Sequence, residues 1–244
     1  MSPSNLYTDP TMPPLIVSHR ACRGHAPENT LAGVRTALRL GADGIEVDLR
    51  CTRDDVPVLL HDDTVSRTTD GEGEIAELSL RQARRLDVGR GERIPTLREL
   101  LRTVDGKALL VLEVKVAGIE EAVLGVVRRA RALDFCVVHS FLPHVVKRFR
   151  KLEPRLPASL LATGRNVRDW PRLLGDTLEL GAQGIAIHHS AVTSEIVRAA
   201  HLRELRISTW TANRRIDIRR VAACGVDAVT SDYPDRARRW LPKR

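Results

Sequence analysis

Short β-branched apolar runs alternate along the chain with longer segments whose apolar residues recur at helical spacing. The runs at residues 15–18, 45–51, 108–114, 136–140, 158–161, 184–187, 206–211 and 228–231 read as strands. Helices are expected over 30–40, 97–104, 120–133, 143–152, 169–180, 194–201, 216–224 and 234–241, with Asn29 as the N-cap of the first. Strands that alternate with helices predict an α/β fold on a parallel sheet. Eight such units in one stretch predict that the sheet closes into a single (β/α)8 barrel. The segments Gly-Ala-Asp-Gly at 41–44 and Gly-Ala-Gln-Gly at 181–184 are two similar helix-to-strand turns, in which Gly41 and Gly181 serve as helix C-caps.

One apolar run breaks the alternation. Residues 56–60 follow the second strand after only Thr52-Arg53-Asp54-Asp55, and a parallel crossover needs about a dozen residues. Residues 57–61 are therefore expected to fold back antiparallel on strand 45–51, bringing His61 toward Glu46 and Asp48. The polar stretch 62–93, with Gly71, Gly73, Gly89 and Gly91, reads as a long insertion on the barrel, a lid or substrate wall.

Composition fits this picture. The chain has 244 residues, close to the ~250 of a typical α/β barrel, and is 43% hydrophobic but only 3% aromatic, so Leu, Val, Ile and Ala must fill the core. Residues 1–14 read as a loose leader and 15–244 as one domain. The leader has no charged and apolar regions of the secretory type, and no run is long and apolar enough for a membrane span. The cysteines Cys22, Cys51, Cys136 and Cys224 are scattered without metal-ligand spacing and read as small thiols in a reducing compartment, which places the protein in the cytoplasm. The net charge of +8 is spread as arginine along helices, without interleaved aromatics, so nucleic-acid binding is not expected.

The chemistry gathers at the C-terminal ends of the predicted strands, where α/β barrels carry their sites. Period-two spacing puts Glu46 and Asp48 on one face of the second strand, and Glu113 and Lys115 on one face of the third. Both faces of a barrel strand are covered, so charges there cost free energy unless neutralised. Ion pairs of Glu113 with Lys115, or of Glu46 with Arg50, are one remedy. For three converging carboxylates a bound cation is the simpler one, and all-oxygen ligation favours Mg2+ or Ca2+. His19 and His61 flank the cluster as a candidate acid and base. Arg20 and Lys115 are candidate phosphate contacts.

These residues carry a family resemblance. HRACRGHAPENT at 19–30, GADGIEVDLRCTRDDVPVLLHDDTVSRTT at 41–69, IPTLRELL at 94–101, LEVK at 112–115, HSF at 139–141, WTAN at 210–213 and GVDAVTSDYP at 225–234 resemble, in order, the motifs of glycerophosphodiester phosphodiesterases. The resemblance spans about Leu15 to Pro234. It implies a TIM barrel with His19 and His61 as the catalytic pair and Glu46, Asp48 and Glu113 as ligands of one divalent cation. It implies Arg20 and Lys115 at the phosphate, Trp210 in the glycerol pocket and Phe141 on the same wall, with Glu28 and Asn29 shaping the loop after the first strand. The chain departs from the pattern at Ala21, usually glycine, and at Ser231, usually threonine.

The implied reaction is hydrolysis of a small glycerophosphodiester to glycerol 3-phosphate and an alcohol, with water or the substrate's 2-hydroxyl as nucleophile. His19 is taken as base and His61 as acid, although sequence leaves that direction open. Two other readings stand beside it: a lysophospholipase D, which needs an acyl channel that the polar 62–93 segment does not suggest, and a non-catalytic phosphate-binding barrel.

Overall fold

A computed structural model of the chain describes residues 13–164 and 166–242. The expected leader lies, as far as residue 12, outside the described residues. Nine strands follow in chain order: β1 (Leu15–Ser18), β2 (Gly44–Cys51), β3 (Pro57–Leu59), β4 (Leu109–Val114), β5 (Cys136–Ser140), β6 (Ala158–Ala162), β7 (Gly184–His188), β8 (Arg206–Trp210) and β9 (Ala228–Ser231). β3 pairs antiparallel with β2, as the four-residue turn requires. The other eight are parallel, and β1 pairs with both β2 and β9, which closes the barrel.

The α-helices are α1 (Leu31–Arg39), α2 (Leu80–Ala83), α3 (Leu97–Val104), α4 (Glu120–Arg129), α5 (Pro143–Leu152), α6 (Trp170–Glu179), α7 (Ser194–His201), α8 (Arg215–Ala223) and α9 (Pro234–Trp240). Period-two alternation divides each strand between two environments. Ile45, Val47 and Leu49 of β2, with Leu110, Leu112 and Val114 of β4, belong to the same apolar core as Val34 and Ala37 of α1 and Leu97, Leu100 and Val104 of α3. Burial of each Val, Leu or Ile among them contributes about 1.5–3 kcal/mol. The alternate positions form a smaller cluster of Leu15, Val17, Leu109, Val111, Val137 and Ala228, which fills the barrel toward the strands' N-terminal ends. Farther along, this series continues as Glu113 on β4 and His139 on β5, and on β2 it is Glu46 and Asp48. Asp48 registers beside Glu113, and Glu113 beside His139. The polar positions are thus an interruption of the core at one end of the barrel.

Three expectations are corrected. Thr30, not Asn29, caps α1, accepting from the Gly33 amide at 3.2 Å; the Asn29 side chain is taken by Asp48 instead. The helix expected over 120–133 stops at Arg129, because Arg131 adopts a left-handed conformation (φ 54°) before a short 3-10 turn at Leu133–Phe135. The insertion 62–93 is a folded unit rather than a plain polar loop. Val65, Ile75, Ala83, Val88 and Ile94 pack with Val58 and Leu60 of the hairpin into a second core, and α2 opens with a capping box of Ser79 and Gln82. Gly41 and Gly181 take the positive φ (71° and 70°) expected of the two C-cap turns. No helix of the described residues is long and apolar enough to cross a membrane.

Candidate active site

Glu46, Asp48 and Glu113 meet at the C-terminal end of the barrel, each offering a carboxylate oxygen within 4.8 Å of the others. Their partners are unequal. Glu46 Oε2 accepts from the Arg20 amide at 2.7 Å, while Glu46 Oε1 is buried with no hydrogen-bond partner. Asp48 Oδ2 accepts from Asn29 Nδ2 at 2.8 Å and lies 3.5 Å from Arg20 Nε. Lys115 Nζ lies 2.5 Å from Glu113 Oε1 and 3.4 Å from Asp48 Oδ1. The ion pair of Glu113 with Lys115 therefore forms. Arg50 does not reach Glu46; its Nε donates to the His61 carbonyl at 3.0 Å.

Lys115 and Arg20, the latter shared with Glu28, do not balance three carboxylates. Burial, and then the charges of Asp48 and Glu113, push the Glu46 carboxyl well above its usual range. Burial and Asp48 likewise raise Glu113 against the opposing pull of Lys115. An orphaned buried oxygen, an unbalanced negative charge and an all-oxygen donor set fit a hard divalent cation.

Both histidines are held by carboxylates. His19 Nδ1 is 2.6 Å from Asp232 Oδ1, and its Nε2 points to the cluster, 4.0 Å from Glu46 Oε2. Asp232 is fixed in turn. Its Oδ2 accepts from Asn213 Nδ2 at 2.7 Å, and its amide donates to Asn213 Oδ1 at 2.9 Å. Burial alone would raise the Asp232 carboxyl, but the His19 and Asn213 hydrogen bonds hold it below its ordinary value. His61 follows β3, and its Nδ1 is 2.6 Å from Asp62 Oδ1. Arg67, bonded to the other Asp62 oxygen, is the main reason that the Asp62 carboxyl falls to about 2. His61 is near enough for its charge to act on Glu113.

The loop after β1 makes this convergence possible through backbone strain. Arg20 and Ala21 are both left-handed (φ 46° and 69°), which aims their amides at Glu46: Arg20 N at the side chain, Ala21 N at the main-chain oxygen at 2.8 Å. Such conformations cost about 1–2 kcal/mol per non-glycine residue. At position 21, where the resembled family has glycine, the fully buried methyl is accommodated because Gly33 faces it; a Cβ on Gly33 would lie 3.0 Å from Ala21 Cβ. Gly24 in the same loop backs onto the residue that holds His19. A Cβ there would sit 2.5 Å from the Asp232 carbonyl oxygen and 2.5 Å from the Tyr233 ring. Backbone must then shift, so Gly24→Ala is expected to lower kcat about 10²-fold by displacing Asp232; steady-state kinetics, with a melting curve to separate misfolding, checks this.

Trp210 closes β8, diametrically across the barrel from β4. Phe141, 39% exposed, meets Trp210 edge-on at 5.4 Å, and so does His188 from the end of β7. Trp210 Nε1 donates to the Ala186 carbonyl at 3.2 Å, which fixes the indole. The structure thus brings all nine expected site residues to one end of the barrel. It adds Asp62, Asp232, Asn213, Arg67 and His188, to which sequence reasoning assigned no part. Signals existed for four of them: Asp62 adjoins His61, Asp232 ends the last strand, and Arg67, Asn213 and Asp232 fall within the resembled motifs; which group each one holds is decided only in the fold.

Comparison with known proteins agrees with this arrangement. Residues 19–236 match the profile of the glycerophosphoryl diester phosphodiesterase family. A glycerophosphodiester phosphodiesterase of Caldanaerobacter subterraneus is 32% identical over 237 residues, covering 92% of this chain and 96% of that protein. A phosphodiesterase of Oleispira antarctica, solved in complex with the product sn-glycerol-3-phosphate, superposes with a TM-score of 0.84 at 28% identity, over 93% of this chain and 96% of that one. A glycerophosphodiester phosphodiesterase structure from Agrobacterium tumefaciens gives 0.80 at 26% identity, over 91% and 97%. With the barrel and its polar mouth already described, these whole-length matches lead to one conclusion: the chain belongs to the glycerophosphoryl diester phosphodiesterase family and is an enzyme of that family.

Proposed function

We propose that the protein hydrolyses glycerophosphodiesters to glycerol 3-phosphate and an alcohol, with His19 and His61 as its acid–base pair. The observation that carries this reading is that two imidazoles, each held through Nδ1 at 2.6 Å by its own carboxylate, flank one carboxylate cluster. A carboxylate on Nδ1 fixes the tautomer and leaves Nε2 for proton transfer. His19 Nε2 takes the proton of the nucleophile, water or the substrate's 2-hydroxyl; in the second case the first product is a cyclic phosphate, which water must open to give glycerol 3-phosphate. His61 donates a proton to the leaving alcohol oxygen. Arg20 and Lys115 bind the phosphate and offset the charge that grows on it. Phe141 and Trp210 line the wall against which the glycerol packs.

Glu46, Asp48 and Glu113 would hold one divalent cation, Mg2+ or Ca2+, which when bound supplies Lewis-acid stabilisation at the phosphate oxygens. The insertion turns its larger apolar side chains into its own core, which lends no support to an acyl channel of the lysophospholipase D kind.

The test is a parallel assay of the Mg2+- and Ca2+-loaded protein on glycerophosphocholine and lysophosphatidylcholine. Release of glycerol 3-phosphate from the first, with little choline from the second, is expected. Turnover of only the lysolipid would replace the proposed substrate, and turnover of neither would favour a non-catalytic barrel.

A further inference from the structure

The insertion and the β1 loop are joined at one side chain. Arg67 stands on a turn pinned by the fully buried Val65, whose carbonyl accepts from the Thr69 amide at 3.0 Å and the Thr69 hydroxyl at 2.8 Å. From there its guanidinium spans two carboxylates. Nε donates to Asp62 Oδ2, and Nη2 donates to Glu28 Oε1 at 2.7 Å. Each carboxylate holds another site residue with its remaining capacity: Asp62 Oδ1 the His61 imidazole at 2.6 Å, and Glu28 Oε1 the Arg20 Nη1 at 3.0 Å. A continuous chain thus runs from His61 through Asp62, Arg67 and Glu28 to Arg20, which itself reaches Asp48 and Glu46.

We propose that Arg67 is a positioning residue that sets His61 and Arg20 in one mutual geometry, locking the insertion onto the β1 loop; this rests on the roles proposed above for those two residues. An ordinary surface ion pair would contribute little. Arg67 differs in its fork, which matches two acceptors that face each other from separate segments, a geometry lysine cannot reproduce. One acceptor, Glu28, has a side chain only 11% exposed. The insertion's private core then has a purpose: it holds the Arg67 turn rigid.

The groups that act on His61 are Asp62 beside it, Arg67 from the insertion, Glu113 from β4, and Arg50 of β2 at its carbonyl. Removing Arg67 frees the Asp62 carboxylate to turn, so the ring it holds loses its fixed place. The test combines steady-state kinetics on glycerophosphocholine with the NMR chemical shifts of the His61 ring at one fixed pH, assigned by their loss in His61→Ala, for the wild type, Arg67→Ala and Arg67→Lys in Mg2+.

In Arg67→Ala, kcat is expected to fall about 10²-fold, the His61 ring resonances to move and broaden, and the melting temperature to stay within about 4 °C. Arg67→Lys should restore only part of kcat. His61 ring resonances in Arg67→Ala that coincide with those of the wild type would overturn the proposal, as would a loss of activity that merely follows a loss of folded protein. Because the spectra need no turnover, a wild type inactive on glycerophosphodiesters would count against the proposed function while the Arg67 question was still decided.

Discussion

Asp232→Asn is expected to keep the fold and lose on the order of 10⁴-fold in kcat, the scale seen when the carboxylate of a hydrolase triad becomes an amide. Asn213 is the reason for so large an effect. Its Nδ2 donates to Asp232 Oδ2 and its Oδ1 accepts from the Asp232 amide. An asparagine at 232 must turn its own carbonyl oxygen toward Asn213 Nδ2, which aims its NH2 group at His19 Nδ1. The imidazole then accepts at Nδ1 and carries its proton on Nε2, the atom that faces Glu46. A ring protonated there cannot act as a base. Asp232→Ala removes the orientation without imposing the wrong tautomer, so it should be no worse. Steady-state kinetics and melting curves for both variants check this, and an asparagine variant within tenfold of wild type would contradict it.

Glu46→Gln is expected to abolish turnover while raising the melting temperature of the EDTA-treated protein by about 2–8 °C, the response of a domain this size to ~1–2 kcal/mol. Glu46 is 5% exposed, has one unpartnered oxygen, and shares its site with two further carboxylates. Glutamine keeps the acceptor for the Arg20 amide and removes one charge. The sign in pH follows from the raised carboxyls. A carboxyl with a higher pKa in the folded state gives no penalty below the ordinary value of 4.5; the penalty grows as pH rises through that value and is full above the folded one. The gain from Glu46→Gln in the metal-free protein should therefore be largest at neutral to alkaline pH and vanish in acid. Added Mg2+ or Ca2+ should stabilise the wild type more than the variant. Melting curves across pH, with EDTA and with cation, test all three statements; a variant that melts lower than wild type in EDTA at neutral pH would refute the electrostatic argument.

The barrel was legible because its signal is local and repeated. Ile45, Val47 and Leu49 alternate with Glu46 and Asp48, and that period alone puts two carboxylates on one face. The turn after Cys51 is too short for anything but a hairpin, so the return of His61 to β2 follows from the length of the connection alone. What the sequence concealed depends on distant partners. Asn29 and Thr30 are both good N-caps, and only Asp48, 19 residues away, decides that Asn29 is occupied elsewhere. The insertion's core residues, Val65, Ile75, Ala83 and Val88, fall at irregular intervals and show no period to read. The supports of the two histidines divide in the same way. Asp62 adjoins His61, but Asp232 lies 213 residues from His19, and Arg67 meets Glu28 across 39. Candidate reactive groups were visible as residue types at strand ends, and Asp62, Arg67, Asn213 and Asp232 lay within the resembled motifs, but which group orients which was not legible.

The most direct test of metal-dependent phosphodiester hydrolysis at this site is release of glycerol 3-phosphate from glycerophosphocholine, with and without EDTA, by the wild type, His61→Ala and Glu46→Ala. The expected result is cation-dependent release by the wild type, a loss on the order of 10²–10⁴-fold in His61→Ala, and none detectable from Glu46→Ala. Release that persists in EDTA, or that survives either substitution, would contradict it.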